Sequence, residues 1–226
     1  MSRSVHVKMC GLKRPDDVRH AVSLGADYLG FVFAPGGPRA LEPAEAERML
    51  HGLQTGAARR VGVFRDATAT FVNEVAERCG LDLVQLHGHE PRDYPSALRV
   101  PVLRALHVRA VTNPAGVVDD VTSPVADGMP LAPNVEAVLL DPEDAAGQSG
   151  GLGLAADPAA IAAMLAVLPA GTRVFLSGGL TPANVAAAVR TFHPYAVDVS
   201  SGIEAAPGVK DQERMTAFVA ALEERA

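Results

Sequence analysis

The chain contains 226 residues, of which 48% are hydrophobic and 20% are charged. This composition supports a sizeable core and excludes global disorder, and no apolar run approaches the roughly 20 residues that span a bilayer. The net charge is −6 and there is no Trp, so the basic surface and stacking aromatics of nucleic-acid-binding proteins are missing. We therefore expect neither a nucleic-acid partner nor a membrane partner.

The N-terminus and the two cysteines indicate a reducing compartment. No apolar stretch of signal-peptide length begins the chain, which favours a cytoplasmic protein. Cys10 and Cys79 are then expected to be free thiols, with Cys79 structural at the end of a predicted helix. There is no CxxC or HExxH motif, so we expect no metal site.

Eight short β-rich runs alternate with stretches of helical periodicity. Several runs are almost continuously apolar, which is typical of parallel strands covered on both faces. Eight β-then-α units in a chain of this length fit a closed barrel better than an open sheet, so we predict an α/β fold, a (β/α)8 TIM barrel, as a single domain over residues 1–226. Residues 111–134 contain four prolines and are predicted to be a broken helix plus loop. The predicted strands are 5–10, 28–33, 60–64, 83–87, 102–108, 136–141, 173–177 and 196–200.

Two reactive side chains follow predicted strands at the end where such barrels carry their sites. Cys10 ends strand one before Gly11, and its thiol can act as a base or nucleophile if its pKa is lowered; the alternative is a buried apolar cysteine. Asp141 ends strand six and is either a turn cap or a partly desolvated acid. If both face one cavity, they form an acid/base pair.

Polar residues at two further strand ends are candidates for ligand contacts. Arg39 follows a Pro/Gly loop after strand two, where a guanidinium can hold a carboxylate; the alternative is a surface salt bridge. Gln85 and His87 end strand four and point the same way by strand alternation. A lone histidine at such a place is more often a hydrogen-bonded structural residue than a catalyst.

Three glycine clusters follow strands six, seven and eight. Loops after strands seven and eight of this barrel, with free backbone N–H groups beside a helix N-terminus, commonly cradle a phosphate. The sequence therefore predicts a barrel of the phosphate-binding type with a phosphorylated ligand. The residues expected to contact the phosphate are Gly151, Gly153, Gly178, Gly179, Ser200, Ser201 and Gly202.

Several motifs, taken in order, resemble the phosphoribosylanthranilate isomerase family. They are KMCGL at 8–12, GFVF at 30–33, PR at 38–39, VGVF at 61–64, LVQLHG at 83–88, LLD at 139–141, SGGL at 177–180 and VDVSSGIE at 197–204, followed by GVKD at 208–211. The resemblance spans seven of the eight predicted strands and nearly the whole length.

The resemblance implies an Amadori rearrangement of N-(5-phosphoribosyl)anthranilate, a step of tryptophan biosynthesis that needs no metal or cofactor. Asp141 matches the family's acid, which protonates the furanose ring oxygen, and Cys10 matches the base that removes the C2′ proton. Arg39 matches the residue that holds the anthranilate carboxylate. The motif residues Lys8, Gln85, His87 and Asp198 are expected to line the same pocket.

The sequence departs from the family at a few positions. The loop after strand six reads GLGLAAD at 151–157 where the family carries GGTG and a Phe-Asp pair, Gly36-Gly37 replaces Lys-Ser, and Arg104 replaces a lysine. Two alternatives therefore stay open: a paralogue acting on a related phosphoribosylamine, and a non-catalytic phosphosugar-binding barrel. Retention of both Cys10 and Asp141 argues against the second. For the assembly we expect a monomer or homodimer.

Overall fold

The computed structural model describes residues 5–108, 131–142 and 158–223. Eight parallel strands close into one barrel in chain order, and β1 completes the circle by pairing with β8. The predicted (β/α)8 barrel is confirmed. Its strands are β1 (His6–Met9), β2 (Tyr28–Val32), β3 (Arg59–Phe64), β4 (Leu83–Leu86), β5 (Val102–Val108), β6 (Val135–Pro142), β7 (Val174–Leu176) and β8 (Ala196–Val199).

Six α-helices surround the described part of the barrel, and local signals explain where they begin and end. The first has Pro15 in its first turn, where a missing N–H costs nothing. The third is capped by Thr68, whose hydroxyl accepts from the N–H of Phe71, and ends at Gly80 in the left-handed conformation. None of the described helices is long and apolar enough to cross a membrane. The helices are α1 (Pro15–Ser23), α2 (Pro43–His51), α3 (Ala69–Cys79), α4 (Pro158–Val167), α5 (Val185–Phe192) and α6 (Gln212–Glu223).

The fourth β-then-α unit differs from the predicted pattern. The segment between β4 and β5 contains a 3-10 turn at Tyr94–Ala97 in place of an α-helix. Pro91 and Pro95 lack a backbone N–H and disfavour longer helix at this place. Of the segment 111–134, only residues 131–134 are described, as a turn leading into β6; the predicted broken helix lies outside the described residues.

After β8 the chain forms a short structure that matters for the site. A 3-10 turn at Ser201–Ile203 leads into a two-stranded antiparallel ribbon of β9 (Glu204–Ala206) and β10 (Val209–Lys210). Helix α6 then follows and packs beside α1 and α5. The ribbon brings the side chains of Glu204 and Lys210 back to the barrel, where both are buried.

The side chains inside the barrel form an apolar layer and, beyond it, a polar layer at the end where the strands finish. We call this end the mouth. Because side chains alternate along a strand, a residue two positions after an apolar interior residue also points into the barrel, and it lies nearer the mouth. By this alternation, Gln85 lies one step nearer the mouth than Leu83, and Asp141 lies one step nearer than Leu139. The apolar layer consists of Tyr28, Val61, Leu83, Leu103, Ala105, Ala137, Leu139, Phe175 and Ala196.

Candidate active site

The thiol of Cys10 lies at the end of β1 beside a buried ion pair. Lys8, two residues earlier on the same face, is fully buried, and its Nζ lies 2.8 Å from Oδ1 of Asp198 on the neighbouring strand β8. Burial raises the pKa of Cys10, while the cations of Lys8 and Lys210 lower it; the net pKa lies above its ordinary value. Burial lowers the pKa of Lys8, but Asp198 and Cys10 raise it more, so this lysine keeps its charge. A fixed cation therefore stands ready to stabilise a thiolate.

Gly30 makes room for this thiol. A Cβ atom at position 30 would lie 2.8 Å from Sγ of Cys10 and 2.9 Å from its Cα, closer than packed atoms approach. The glycine belongs to the GFVF motif, but its spatial role needs the pairing of β1 with β2, which no local pattern gives. Gly30 is thus a residue of the site that sequence reasoning missed.

Asp141 occupies a second buried polar cluster, at the end of β6. The hydroxyl of Ser177 donates to its Oδ1 at 2.8 Å, and Nε2 of His87 lies 3.2 Å from its Oδ2. Burial would raise the pKa of this carboxyl, but His87 and Ser177 lower it more, and the net pKa lies below its ordinary value. In the free protein the carboxylate form is therefore favoured. Ser177 was seen only as part of a glycine cluster, and its contact with Asp141 was not foreseen.

Two more side chains complete the acid cluster. Nε2 of Gln85 lies 2.9 Å from Nδ1 of His87, while Oε1 of Gln85 is buried with no hydrogen-bond partner. The ring of His107, beside Asp141 in the register of β5 and β6, stands edge-on to His87 with 5.4 Å between centroids. Burial and the neighbouring His87 lower the pKa of His107 to about 4, so it stays neutral. Sequence reasoning missed His107 because nothing distinguished it within an apolar strand.

Arg39 lies at the rim beside the thiol, and its guanidinium already has a partner. Nε and Nη2 contact the two carboxylate oxygens of Glu204 at 2.8 and 2.7 Å, and Nζ of Lys210 lies 2.8 Å from the same carboxylate. Glu204 is buried and the Arg39 side chain is 16% exposed, so this partly buried pair differs from the surface salt bridge that the sequence left open. Burial raises the pKa of Glu204, but Arg39 and Lys210 lower it more, so the carboxylate stays ionised.

Gly11 allows the close approach of Arg39 to the end of β1. Its φ is +75°, and a Cβ there would lie 2.8 Å from Cδ of Arg39 and 3.1 Å from Oγ of Ser200. The bidentate pair with Glu204 occupies one edge of the guanidinium and fixes its plane. The remaining N–H groups are then oriented by the protein before any ligand arrives. Glu204 and Lys210 were visible in the family motifs but had no assigned role.

The loops after β7 and β8 lie against each other at the mouth. Gly178 and Gly179 have φ of +93° and +59°, and a Cβ at Gly202 would lie 1.9 Å from the carbonyl oxygen of Leu180. Among the residues that the structure describes, no backbone–backbone hydrogen bond outside the helices and strands engages the N–H groups of Gly178, Gly179, Ser201 or Gly202. Two adjacent loops with such groups can receive an anion.

The remaining residues predicted to contact the phosphate are either engaged elsewhere or outside the described residues. The hydroxyl of Ser200 donates to the carbonyl oxygen of Cys10 at 3.1 Å and lies 3.3 Å from Nζ of Lys210, so this side chain supports the base cluster. Gly151 and Gly153 lie outside the described residues, as does the whole divergent loop 151–157. Within the described ranges, no group of three or more His, Cys, Asp or Glu side chains could hold a metal ion.

Comparisons with known proteins give one answer. A family profile described as N-(5′-phosphoribosyl)anthranilate (PRA) isomerase matches residues 7–221. The N-(5′-phosphoribosyl)anthranilate isomerase of Geobacter sp. (strain M21) is 42% identical over 215 residues, which cover 95% of this chain and 96% of that protein. The enzyme of that name from Trichlorobacter lovleyi is 38% identical over 215 residues, with the same coverage of 95% and 96%.

Solved structures agree with the sequence comparisons. The crystal structure of phosphoribosyl anthranilate isomerase from Thermus thermophilus has a TM-score of 0.79 at 35% identity and covers 98% of this chain and 100% of that one. A phosphoribosyl anthranilate isomerase in complex with reduced 1-(o-carboxyphenylamino)-1-deoxyribulose 5-phosphate has a TM-score of 0.76 at 31% identity, covering 97% and 99%. By profile, relatives and fold, the chain belongs to the N-(5′-phosphoribosyl)anthranilate isomerase family.

Proposed function

We propose that the chain isomerises N-(5′-phosphoribosyl)anthranilate to 1-(2-carboxyphenylamino)-1-deoxyribulose 5-phosphate, with Asp141 as the acid and Cys10 as the base. The observation that carries this proposal is the presence of a thiol and a carboxyl at the same mouth, each in its own buried polar cluster. The reaction needs one group that gives a proton to an oxygen and another that takes a proton from a carbon. The relative solved with a reduced form of the product supports the same ligand class here.

The first step opens the furanose ring. A proton on Asp141 passes to the ring oxygen, the bond from C1′ to that oxygen breaks with its electron pair going to the oxygen, and the nitrogen lone pair forms a C=N bond to C1′. The product is a protonated imine. Ser177, which donates to the other carboxylate oxygen, holds Asp141 in place for this transfer.

The second step removes the proton from C2′. The thiolate of Cys10 takes it, and the C–H electron pair forms a double bond between C1′ and C2′ while the C=N electrons return to nitrogen. The resulting enolamine gains a proton at C1′ and loses the hydroxyl proton at C2′, giving the ketone. Lys8 and Lys210 assist because their cations lower the pKa of Cys10 against the effect of burial.

The two ends of the substrate are bound away from the reacting bond. The anthranilate carboxylate meets the guanidinium of Arg39, whose orientation is fixed by Glu204. The phosphate dianion meets the backbone N–H groups of the loops after β7 and β8, at Gly178, Gly179 and Gly202. Anchoring at both ends places the ribose between Cys10 and Asp141.

Turnover of freshly prepared phosphoribosylanthranilate tests this proposal. Anthranilate derivatives fluoresce, so the purified protein should change the emission with time, and expression should restore growth of a tryptophan auxotroph that lacks the isomerase. Cys10→Ser should lower kcat by about 10²- to 10⁴-fold, the loss typical of a missing general base. Cys79→Ser is the matched control, because Cys79 is buried at the end of α3, away from the mouth.

Two results would contradict the assignment. A Cys10→Ser protein with near wild-type kcat would show that another group is the base. A folded wild-type protein that binds the substrate without turnover would favour the non-catalytic barrel. The monomer or homodimer stays a prediction, to be read from sedimentation of the same sample.

A further inference from the structure

Asp141 has to carry a proton to act as an acid, yet its surroundings favour the carboxylate. Ser177 donates to one of its oxygens, and the His87 ring lies against the other. Together they hold the pKa of Asp141 below its ordinary value in spite of burial, which acts in the opposite direction. A proton therefore has to reach this carboxylate before each ring opening.

His87 is placed to supply this proton. Its Nε2 lies 3.2 Å from Oδ2 of Asp141, a buried oxygen with no aligned hydrogen bond among the described residues, and its side chain is 13% exposed against 7% for the carboxyl. Of the two groups, the His87 side chain is therefore the more exposed to solvent. Imidazole gains and loses a proton near neutral pH, which suits it to pass protons inward.

Gln85 can match either protonation state of the ring. With its Nε2 facing Nδ1 of His87 at 2.9 Å, the amide donates and the ring is neutral with its proton on Nε2. In that arrangement Oε1 of Gln85 is buried and has no partner. Turning the amide by 180° would place Oε1 at Nδ1, where it accepts from a protonated Nδ1. A buried unpartnered oxygen is costly unless such a second state uses it.

The titratable and charged groups that face the His87 ring come from three other elements and from its own loop. On β5, His107 packs edge-on to His87 and stays neutral, because burial and His87 lower its pKa to about 4. His89, on the loop after β4, and Arg65, after β3, also act on His107 and add positive charge on that side. Asp141 is the anion that faces the ring.

We propose that His87 supplies the proton that Asp141 gives to the furanose ring oxygen, with Gln85 turning its amide to accept from the protonated ring. The proposal rests on the proposed function, in which Asp141 is the acid. In the step, the N–H bond at Nε2 of His87 breaks as an O–H bond forms at Oδ2 of Asp141. The ring keeps its Nδ1 proton, hydrogen-bonded to Oε1 of Gln85, and returns to the cation by taking a proton from water. Cys10 gives its gained proton to water, so the cycle balances.

Two substitutions of Gln85 should move the titration of His87 in opposite directions. Gln85→Glu places a carboxylate at Nδ1 and should raise the His87 titration midpoint by about one pH unit or more. Gln85→Met removes the acceptor and should lower it. The midpoint is measured by NMR of ring-labelled histidine, with the His87 signal identified by its loss in His87→Asn. One limb of the kcat–pH profile should reflect the proton that His87 supplies, and its midpoint should shift in the same direction as the NMR midpoint in each variant.

The His87→Asn protein gives the second readout. Its kcat should fall, the moving limb should vanish, and KM should change less than kcat, because the ring acts through Asp141 and not on the bound ends of the substrate. His51→Asn, an exposed histidine at the end of α2, is the matched control and should keep the wild-type profile.

The outcomes separate this proposal from the function on which it rests. If the NMR midpoints move while the kcat limb stays fixed, His87 is structural and the proposal fails. If Gln85→Glu does not fold, the downward shift in Gln85→Met and the lost limb in His87→Asn decide the matter in the same way. A wild-type protein without turnover would instead refute the proposed function, whatever the histidine titration shows.

Discussion

The buried pair of Lys8 and Asp198 offers the sharpest test of the base cluster, because it affects both folding and chemistry. The Lys8 side chain is 0% exposed and that of Asp198 is 9% exposed, with 2.8 Å between Nζ and Oδ1. Lys8→Met keeps the length and volume of the side chain but removes the charge. It leaves Asp198 as an almost dry anion without its cation.

Removing one partner of such a pair costs about 3–5 kcal/mol, because an unpaired charge is left in a poorly solvated place. With a urea slope of about 2 kcal/mol per molar, the unfolding midpoint of Lys8→Met should fall by roughly 2 M. Asp198→Asn should also destabilise the fold, since it leaves the Lys8 cation buried. The double variant should lose less than the sum of the two, with a coupling free energy of up to about 3 kcal/mol.

The same variants test how the thiolate forms. Lys8 lowers the pKa of Cys10, so Lys8→Met should raise that pKa further, and alkylation of Cys10 by iodoacetamide should need a higher pH. The measurement is made in a Cys79→Ser background, which leaves a single thiol. A coupling free energy below about 0.5 kcal/mol, or an alkylation profile that does not move, would refute the reasoning.

The other predictions concern the acid, the carboxylate clamp and the space around the thiol. Asp141→Asn should lower kcat by about 10²- to 10⁴-fold with a folded protein, and a change in KM alone would make it a binding residue. Arg39→Ala should raise KM by about 10- to 150-fold and lower kcat far less, because the carboxylate it holds does not change in the reaction; equal losses in kcat and kcat/KM would contradict this. Gly30→Ala should destabilise by about 1–3 kcal/mol and slow turnover. Gly52→Ala, whose Cβ would make only an ordinary contact of 3.8 Å with the carbonyl oxygen of Met49, should do neither; unchanged thermal melting and kcat in Gly30→Ala would refute the crowding argument.

The barrel could be predicted because strand signals are local. Near-continuous apolar runs mark buried parallel strands, and all eight predicted runs coincide with strands to within about two residues at each end. The barrel rule then places sites at the strand ends, which makes Cys10 and Asp141 candidates without any knowledge of their neighbours. The motif resemblance added the reaction, and the family is confirmed by the comparisons.

The partners of these residues could not be predicted, because they come from distant parts of the chain. Arg39 and Glu204 are 165 positions apart, and neither sequence neighbourhood shows that a two-stranded ribbon brings them together. The sequence leaves Arg39 as either a ligand clamp or a surface ion pair. The structure shows a partly buried bidentate pair with Glu204, and the ligand clamp stays a prediction. The contact between Ser177 and Asp141 likewise depends on the register of β6 and β7.

The electrostatics of the two clusters explain why the reactive groups need such neighbours. The free protein favours the thiol at Cys10 and the carboxylate at Asp141, the reverse of the forms that the proposed mechanism requires. Each pKa unit in that direction cuts the reactive fraction about tenfold, while the stronger base or acid so obtained returns only part of the loss in rate. Burial causes this at Cys10, whereas at Asp141 burial raises the pKa and the contacts with His87 and Ser177 outweigh it. At the thiol, Lys8 opposes this loss by stabilising a thiolate. At the carboxyl, His87 adds to the loss, and the proposed relay speeds delivery of the proton to Asp141 without raising its protonated fraction.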